Sequence, residues 1–249
     1  MKKFEQLNIF GSKRLEFNEQ IQLTIDSLSI HGPKHDHWAM AWSWGKDSTT
    51  LVTLVTQLIL SGQVKAPKSL TILCADTRME LIPLWLSALK IIEKLKEFGI
   101  DIKVVMAPLD DRYFVYILGR GVPPPSNTFR WCTGQIKIEP MEAALKDLYN
   151  QVRQKILMLT GVRQGESAIR DGRIAMSCSR DGAECGQGWY QTGLDSDICS
   201  TLAPILHWRV CSVWDWLKIF APSKQYGEWP TQLLADAYGG DEAEEINAR

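Results

Sequence analysis

The chain has 249 residues with 28 Lys and Arg against 29 Asp and Glu, and this formal net charge of −1 gives no bulk support for nucleic-acid binding, although a local basic face could exist. Its 45% hydrophobic and 23% charged residues are typical of a globular protein, and no run approaches the roughly 18 apolar residues of a membrane span. The start of the chain has no apolar signal-peptide core, so we expect a cytoplasmic location, no membrane partner and six cysteines outside disulfides.

Apolar periodicity predicts alternating helices and strands along the first two thirds of the chain. A leading helix is expected over residues 15–30, followed by a strand, a tight loop and a helix within residues 38–62. Further strands are expected at residues 70–75, 102–106 and 156–161, and further helices at residues 81–98, 110–118 and 136–149. Short apolar strands between helices indicate an α/β fold, a doubly wound and mostly parallel sheet with helices on both faces.

The last third has a different character. Residues 163–202 are rich in Gly, Ser, Asp, Arg and Cys with little periodicity, which is typical of a functional or mobile segment. A short strand at residues 204–206 and helices at residues 212–220 and 231–238 are expected to follow. We therefore predict an α/β nucleotide-binding core, residues 1–162, and an irregular, Cys-containing C-terminal subregion, residues 163–249, packed on it.

The sequence SWGKDS at residues 43–48 joins a predicted strand to a predicted helix. Free backbone N–H groups and the positive end of a helix favour an anion there, and phosphate is the natural one. A Walker A loop would need Gly at position 40 and Ser or Thr at position 47, but Met40 and Asp47 occupy these positions. An ordinary helix start with a chance Gly-Lys pair is the remaining alternative.

Each residue type in this loop suits a pyrophosphate. Gly45 lets the backbone approach closely, and Lys46 supplies a point charge. The hydroxyl groups of Ser43 and Ser48 can donate to phosphate oxygens, while Asp47 could hold Mg²⁺ directly or through water.

The loop resembles the SGGKDS loop of the ATP pyrophosphatase (PP-loop) superfamily, which has an adenine nucleotide alpha hydrolase-like fold, and departs from it at Trp44. The resemblance implies that ATP and Mg²⁺ bind here and that the α–β bond of ATP is broken. By that resemblance, the residues assigned to nucleotide binding are Ser43, Trp44, Gly45, Lys46, Asp47, Ser48, Asp76, Thr77 and Gly161. Those assigned to catalysis are Lys46, Asp47 and Arg163.

Three later segments resemble the PAPS reductase branch of this superfamily. They are DTRME at residues 76–80, RWCT with a following Lys and Pro within residues 130–140, and TGVR with a following Glu, Ser and Arg within residues 160–170. The residues that the resemblance assigns to substrate binding are Glu80, Arg130, Lys137, Glu166 and Arg170. Helix-cap carboxylates and surface salt bridges are the ordinary alternatives for these charged residues.

The six cysteines fall into two groups. Cys74, inside an apolar strand, and Cys211, beside a Trp-rich helix, are expected to be core thiols. Cys132, Cys178, Cys185 and Cys199 lie in irregular surroundings and could bind a [4Fe–4S] cluster or a tetrahedral zinc ion. No CxxC pair is present, so unligated thiols in a mobile loop are the alternative.

The pattern is closest to the ATP pyrophosphatase of DNA phosphorothioation, which implies DNA as the target, a cysteine desulfurase as sulfur donor and other sulfur-modification proteins as partners. A homo-oligomer is a further expectation. The reductase branch uses a Cys in an ECGxH-like tail, and the residues at 241–249 contain neither Cys nor His, which makes reduction of PAPS or APS the second hypothesis. The third is an ATP-binding subunit without turnover.

Overall fold

The computed structural model describes residues 15–126, 129–166, 171–172, 174, 188–192 and 198–238. A six-stranded sheet with strand order β3-β2-β1-β4-β6-β5 lies at its centre. The strands are β1 His37–Trp42, β2 Ser69–Ala75, β3 Asp101–Val105, β4 Ile156–Leu159, β5 Trp189–Gln191 and β6 Cys199–Ala203. All neighbouring strands are parallel except β5, which is antiparallel to β6. The predicted fold class is confirmed.

Helices connect these strands, and the crossovers between parallel strands place them on both faces of the sheet. The α-helices are α1 Phe17–His31, α2 Lys46–Leu60, α3 Ile82–Glu97, α4 Trp131–Thr133, α5 Glu139–Val152, α6 Val210–Asp215 and α7 Gln232–Ala237. Short π-helical stretches occur at Val115–Gly119, Gly134–Ile138 and Trp216–Phe220. In the described part of the chain, no helix combines the length and the apolar character needed to cross a bilayer.

Threonine hydroxyl groups satisfy several tryptophans in the core. The indole N–H of Trp42 on β1 donates to Thr49 Oγ1, and that of Trp216 donates to Thr53 Oγ1, each at 2.9 Å. Both threonines are on α2, which is therefore fixed between the sheet and the C-terminal helices. Because a buried N–H without a partner is costly, these bonds favour one orientation of α2 and of the loop before it.

The C-terminal third departs from the predicted pattern. The predicted strand at residues 204–206 is wrong: β6 ends at Ala203 and a turn follows. The apolar pattern does not indicate β6, because Ser200 in this strand is polar although it is fully buried. The Ser200 hydroxyl accepts a hydrogen bond from Tyr190. Since β6 pairs with β4, the sheet itself runs across the predicted boundary at residue 162.

Two other expectations differ from the structure. The predicted helix at residues 110–118 is instead a 3-10 turn, Leu109–Asp111, followed by the π-helical stretch Val115–Gly119. Cys74 is buried as expected, and burial raises the pKa of its thiol to about 12. Cys211, however, is exposed, because it lies on the outer face of α6.

Candidate nucleotide-binding site

The SWGKDS loop lies at the carboxyl end of β1, and serine side chains hold it closed. Ser48 Oγ donates to the Gly45 carbonyl at 3.1 Å and accepts from the Ser43 N–H at 3.2 Å. Since the Ser48 proton is used in this way, Ser43 Oγ donates to Ser48 Oγ at 3.0 Å. Both hydroxyl groups therefore shape the loop here, whereas the sequence predicted that they donate to phosphate.

Helix α2 begins at Lys46, directly after this loop. Gly45 is its N-cap and provides no side-chain cap, and the Tyr238 hydroxyl accepts from the Lys46 N–H, so the next N–H groups of the first turn depend on an external acceptor. Helix N-terminal N–H groups and the helix dipole together form an anion site. The structure thus gives the loop the geometry that the sequence predicts.

Trp44 occupies an unusual backbone conformation. Its φ is +62°, in the left-handed region that favours glycine, and its indole is 3% exposed. The left-handed conformation costs a non-glycine residue about 1–2 kcal/mol, while burial of a large aromatic ring offsets more than that. The tryptophan is therefore retained by its packing, against the preference of its backbone.

Gly161 brings the loop after β4 into contact with the first turn of α2. A Cβ atom at Gly161 would lie 2.9 Å from both Cα and N of Ser48 and 3.0 Å from the carbonyl carbon of Asp47. These are backbone atoms that cannot turn away, so only glycine fits. Gly161 also lines the cavity, which is where its predicted nucleotide-binding role places it.

A buried ion pair connects the same two segments. Arg163 Nε lies 2.5 Å from Asp47 Oδ1, and Lys46 Nζ lies 3.4 Å from Asp47 Oδ2. Arg163 is 5% exposed and also donates to the Trp208 carbonyl at 3.3 Å. Its geometry is that of a residue that holds Asp47 in place, beneath the lysine that faces the cavity.

The residues after β2 form a second wall of the site. Thr77 Oγ1 donates to Glu80 Oε1 at 2.6 Å, and the Met79 N–H donates to Glu80 Oε2 at 3.1 Å. Asp76 is buried and accepts from the Arg78 N–H at 2.9 Å. These bonds fix the segment at the carboxyl edge of the sheet, with Glu80 at the cavity.

The cavity has a volume of about 390 Å³ and lies where strand order reverses, between β1 and β4. This switch point is where open α/β sheets bind their ligands. Its lining includes the predicted residues Ser43, Gly45, Lys46, Asp47, Ser48, Glu80, Lys137, Gly161 and Glu166. Arg130 is exposed and lies outside this lining, and the predicted Arg170 lies outside the described residues.

Tyr238 also lines the cavity, and the sequence analysis did not identify it. Lys46 Nζ lies 5.8 Å from the centre of its ring, and Trp214 packs edge-on against it at 5.2 Å. Burial raises the pKa of the Tyr238 hydroxyl, the Asp47 charge adds to this, and the Lys46 backbone N–H opposes it. At neutral pH the hydroxyl is therefore protonated, close to the amino end of α2.

Comparison with known proteins identifies the family of this chain. The family model described as the phosphoadenosine phosphosulfate reductase domain matches residues 37–219. The chain belongs to this family. Its match begins with β1 and ends in the π-helical stretch Trp216–Phe220, so it includes the strands and loops that form the cavity.

One curated protein and two solved structures are similar to this chain over most of its length. An uncharacterized protein of Methanocaldococcus jannaschii is 23% identical over 86% of this chain, which spans 45% of that protein, or about half its length. The phosphate complex of phosphoadenylyl-sulfate reductase from Candida auris is 12% identical with a TM-score of 0.50, covering 83% of this chain and 88% of its own. The U34-tRNA thiolase NcsA from Methanococcus maripaludis, with its [4Fe–4S] cluster, is 15% identical with a TM-score of 0.49, covering 93% and 77%.

The two described cysteines of the predicted cluster lie on different elements of the fold. Cys199 begins β6 in register with Ile156, at the amino edge of the sheet. Cys132 lies on α4, less than two helical turns before Lys137 at the carboxyl edge. The four residues of β4 alone separate these edges by roughly 13 Å, and a [4Fe–4S] cluster that uses both thiols stays a prediction. Cys178 and Cys185 lie outside the described residues.

The Asp47 carboxylate does not fit the predicted direct contact with Mg²⁺, because both of its oxygens already face cations. Among the residues that the structure describes, no three His, Cys, Asp or Glu side chains are grouped to hold a metal ion. Protein sites often hold Mg²⁺ through one or two carboxylates together with substrate phosphates. The residues present therefore fit a Mg²⁺ ion that arrives with a nucleotide, with Glu80 and Glu166 as the carboxylates at the cavity.

Proposed function

We propose that this chain is an ATP pyrophosphatase that cleaves ATP to AMP and pyrophosphate, with the β- and γ-phosphates on the SWGKDS loop. The observation that carries the proposal is that the amino end of α2, with Lys46, lines a cavity of about 390 Å³ at the switch point. This volume is within the roughly 300–1,000 Å³ typical of small-molecule sites.

The charges around the loop suit a departing pyrophosphate. Arg163 and Lys46 together carry two positive charges against the single negative charge of Asp47. Because the buried Arg163 already neutralises Asp47, the charge of Lys46 remains available to the anion. Fixed donors and charges of this kind stabilise developing negative charge without reorganisation. Mg²⁺ bound with ATP would add neutralisation of the phosphates.

The proposed reaction activates a target for sulfur incorporation. An oxygen of the target attacks the α-phosphorus of ATP, the α–β bond breaks, and pyrophosphate leaves with the electron pair. The target then carries AMP. The persulfide of a donor such as a cysteine desulfurase attacks the target and displaces AMP, and a thiol reduces the resulting S–S bond, which leaves the sulfur on the target. We propose nucleic acid as the target, as in DNA phosphorothioation; membership of the phosphoadenosine phosphosulfate reductase family supports the sulfur chemistry of this proposal.

Product analysis tests the proposal. The protein is incubated with ATP, Mg²⁺, single-stranded DNA and sodium sulfide as the sulfur nucleophile, and nucleotides are separated by chromatography. We expect AMP and pyrophosphate in equal amounts from the wild type and neither from Lys46→Ala. Lys65→Ala removes an exposed lysine before β2, at the opposite edge of the sheet, and should have no effect. ADP and orthophosphate as the only products would contradict the proposal.

Reduction of PAPS or APS is the second candidate, favoured by the family match over residues 37–219. In this case a thiolate attacks the sulfur of the sulfonucleotide and releases the adenosine phosphate, and a second thiol then releases sulfite. Cys132 is the described thiol nearest to Lys137 in the chain and the nucleophile to test. Sulfite formed from PAPS by the wild type, but not by Cys132→Ser, would favour reduction over the pyrophosphatase reaction.

A further inference from the structure

Residues 112–138 carry a local positive charge, although the net charge of the whole chain is close to zero. They contain Arg112, Arg120, Arg130 and Lys137, and no Asp or Glu. A local excess of cations attracts a polyanion even where the overall net charge is close to zero. The segment is therefore electrostatically suited to a phosphate backbone.

The same segment contains an aromatic cluster. The ring of Trp131 stacks on Tyr113 with centroids 5.6 Å apart and an interplanar angle of 23°, and it lies 4.6 Å from the ring of Tyr116. Beside this cluster, Phe114 is 56% exposed and Phe129 is 46% exposed. Large rings so accessible to solvent are available to stack on something outside the chain.

Cations accompany these rings. The Arg120 guanidinium lies over the Tyr116 ring at 5.3 Å. Its distances to Asp110 and Asp111 are 3.8 and 3.7 Å, and all three side chains are exposed. Exposed pairs at such distances contribute little, so they leave Arg120 able to contact a phosphate. Arg130, directly before Trp131, is also exposed.

The surface continues into the nucleotide cavity. Trp131 begins α4, and the chain remains helical through the π-helical stretch Gly134–Ile138 to Lys137, which lines the cavity. Six residues of helix correspond to roughly 9 Å. A polymer lying on the aromatic cluster could therefore present one of its own groups at the cavity.

We propose that this aromatic-basic surface, formed by Tyr113, Phe114, Tyr116, Arg120, Phe129, Arg130 and Trp131, binds single-stranded nucleic acid. Unpaired bases stack on the exposed rings while arginines contact the phosphates, which is the usual combination in single-strand binding sites. Bases within a duplex cannot stack in this way. The proposal rests on the proposed function, in which nucleic acid is the target of the reaction, but the binding itself can be measured without ATP.

Fluorescence anisotropy with a labelled oligothymidylate and a matching oligouridylate, at low salt, tests the surface. We expect wild-type protein to bind, and Phe114→Ala and Phe129→Ala each to weaken binding by roughly 5- to 150-fold, the range for one base stacked on an aromatic ring. Phe98→Ala is the matched control, since Phe98 is 39% exposed at the far end of α3 and should leave binding unchanged. The two oligonucleotides distinguish DNA from RNA.

Salt dependence provides a second readout. Arg130→Ala should reduce the slope of log affinity against log salt by about 0.7, the value for one phosphate contact with a single strand, while Lys65→Ala should not. No binding by the wild type, or full binding by the Phe114→Ala/Phe129→Ala double variant, would overturn the proposal. The proposal would also be overturned if the wild type is a dimer, the double variant is a monomer, and the two have the same affinity for the oligonucleotide.

The two proposals fail in different ways. If the wild type does not bind oligonucleotides, or the double variant binds them fully, while pyrophosphate is still released from ATP, only the proposal for the aromatic-basic surface is refuted. Oligonucleotide binding that follows the predicted variants, without pyrophosphate release, would remove only the proposed reaction.

Discussion

The ion pair between Arg163 and Asp47 should be a main energetic link between the loops after β1 and β4. At 2.5 Å and an effective dielectric constant of about 20, the gross attraction is roughly 7 kcal/mol, and desolvation of both groups offsets much of it. Removing one partner of a buried pair costs about 3–5 kcal/mol. Because Lys46 still faces Asp47, we expect Arg163→Met to cost about 3 kcal/mol of unfolding free energy.

A double-mutant cycle with Asp47→Asn isolates the pair. Urea unfolding of the wild type, both single variants and the double variant should give a coupling energy of about 2 kcal/mol, because the double variant removes both charges of the Arg163–Asp47 pair. Arg209→Met, which removes an exposed arginine, should change stability by less than about 0.5 kcal/mol. Additivity of the two single variants within about 0.5 kcal/mol would refute this account of the pair.

Three other substitutions test the geometry of the site. Gly161→Ala introduces a Cβ 2.9 Å from the Ser48 backbone and should weaken pyrophosphate binding, measured by calorimetry, by roughly 5- to 150-fold, corresponding to about 1–3 kcal/mol of overpacking. Trp44→Gly should lose about 3–5 kcal/mol of packing and regain about 1–2 kcal/mol of backbone strain. The free energy of unfolding, measured with urea, should therefore fall by about 1–4 kcal/mol. The pKa of Tyr238 is raised above 10.0 in the folded protein, so its contribution to stability is complete below pH 10 and is lost as the pH rises through the folded-state pKa. Above pH 10, the free energy of unfolding should therefore fall less steeply with pH in Tyr238→Phe than in the wild type. Parallel curves of unfolding free energy against pH for the two proteins would count against the raised pKa.

The sequence predicted those parts of the site that depend on local pattern. The loop at residues 43–48 was recognisable because strand periodicity changes to helix periodicity around Gly45 and Lys46. Gly161 was also predicted, but its reason is a contact with the backbone of Ser48, a residue more than a hundred positions earlier, and local pattern contains no information on such contacts.

Long-range partners account for what was missed. Tyr238 reaches the loop because α7 packs against α3 and the stretch Trp216–Phe220, and no feature of its sequence surroundings indicates this. Arg163 was predicted to act in catalysis, yet its burial and its bond to Asp47 give it a positioning geometry that depends on strand order.

The choice of scissile bond tests the central claim most directly. ATP analogues with a non-hydrolysable α–β or β–γ linkage, supplied with Mg²⁺, single-stranded DNA and sodium sulfide, separate the alternatives. If the SWGKDS loop grips the β- and γ-phosphates as a leaving group, the β–γ imido analogue should yield AMP and imidodiphosphate, and the α–β methylene analogue should remain intact. Cleavage of the α–β methylene analogue to orthophosphate, with the β–γ imido analogue inert, would contradict the account.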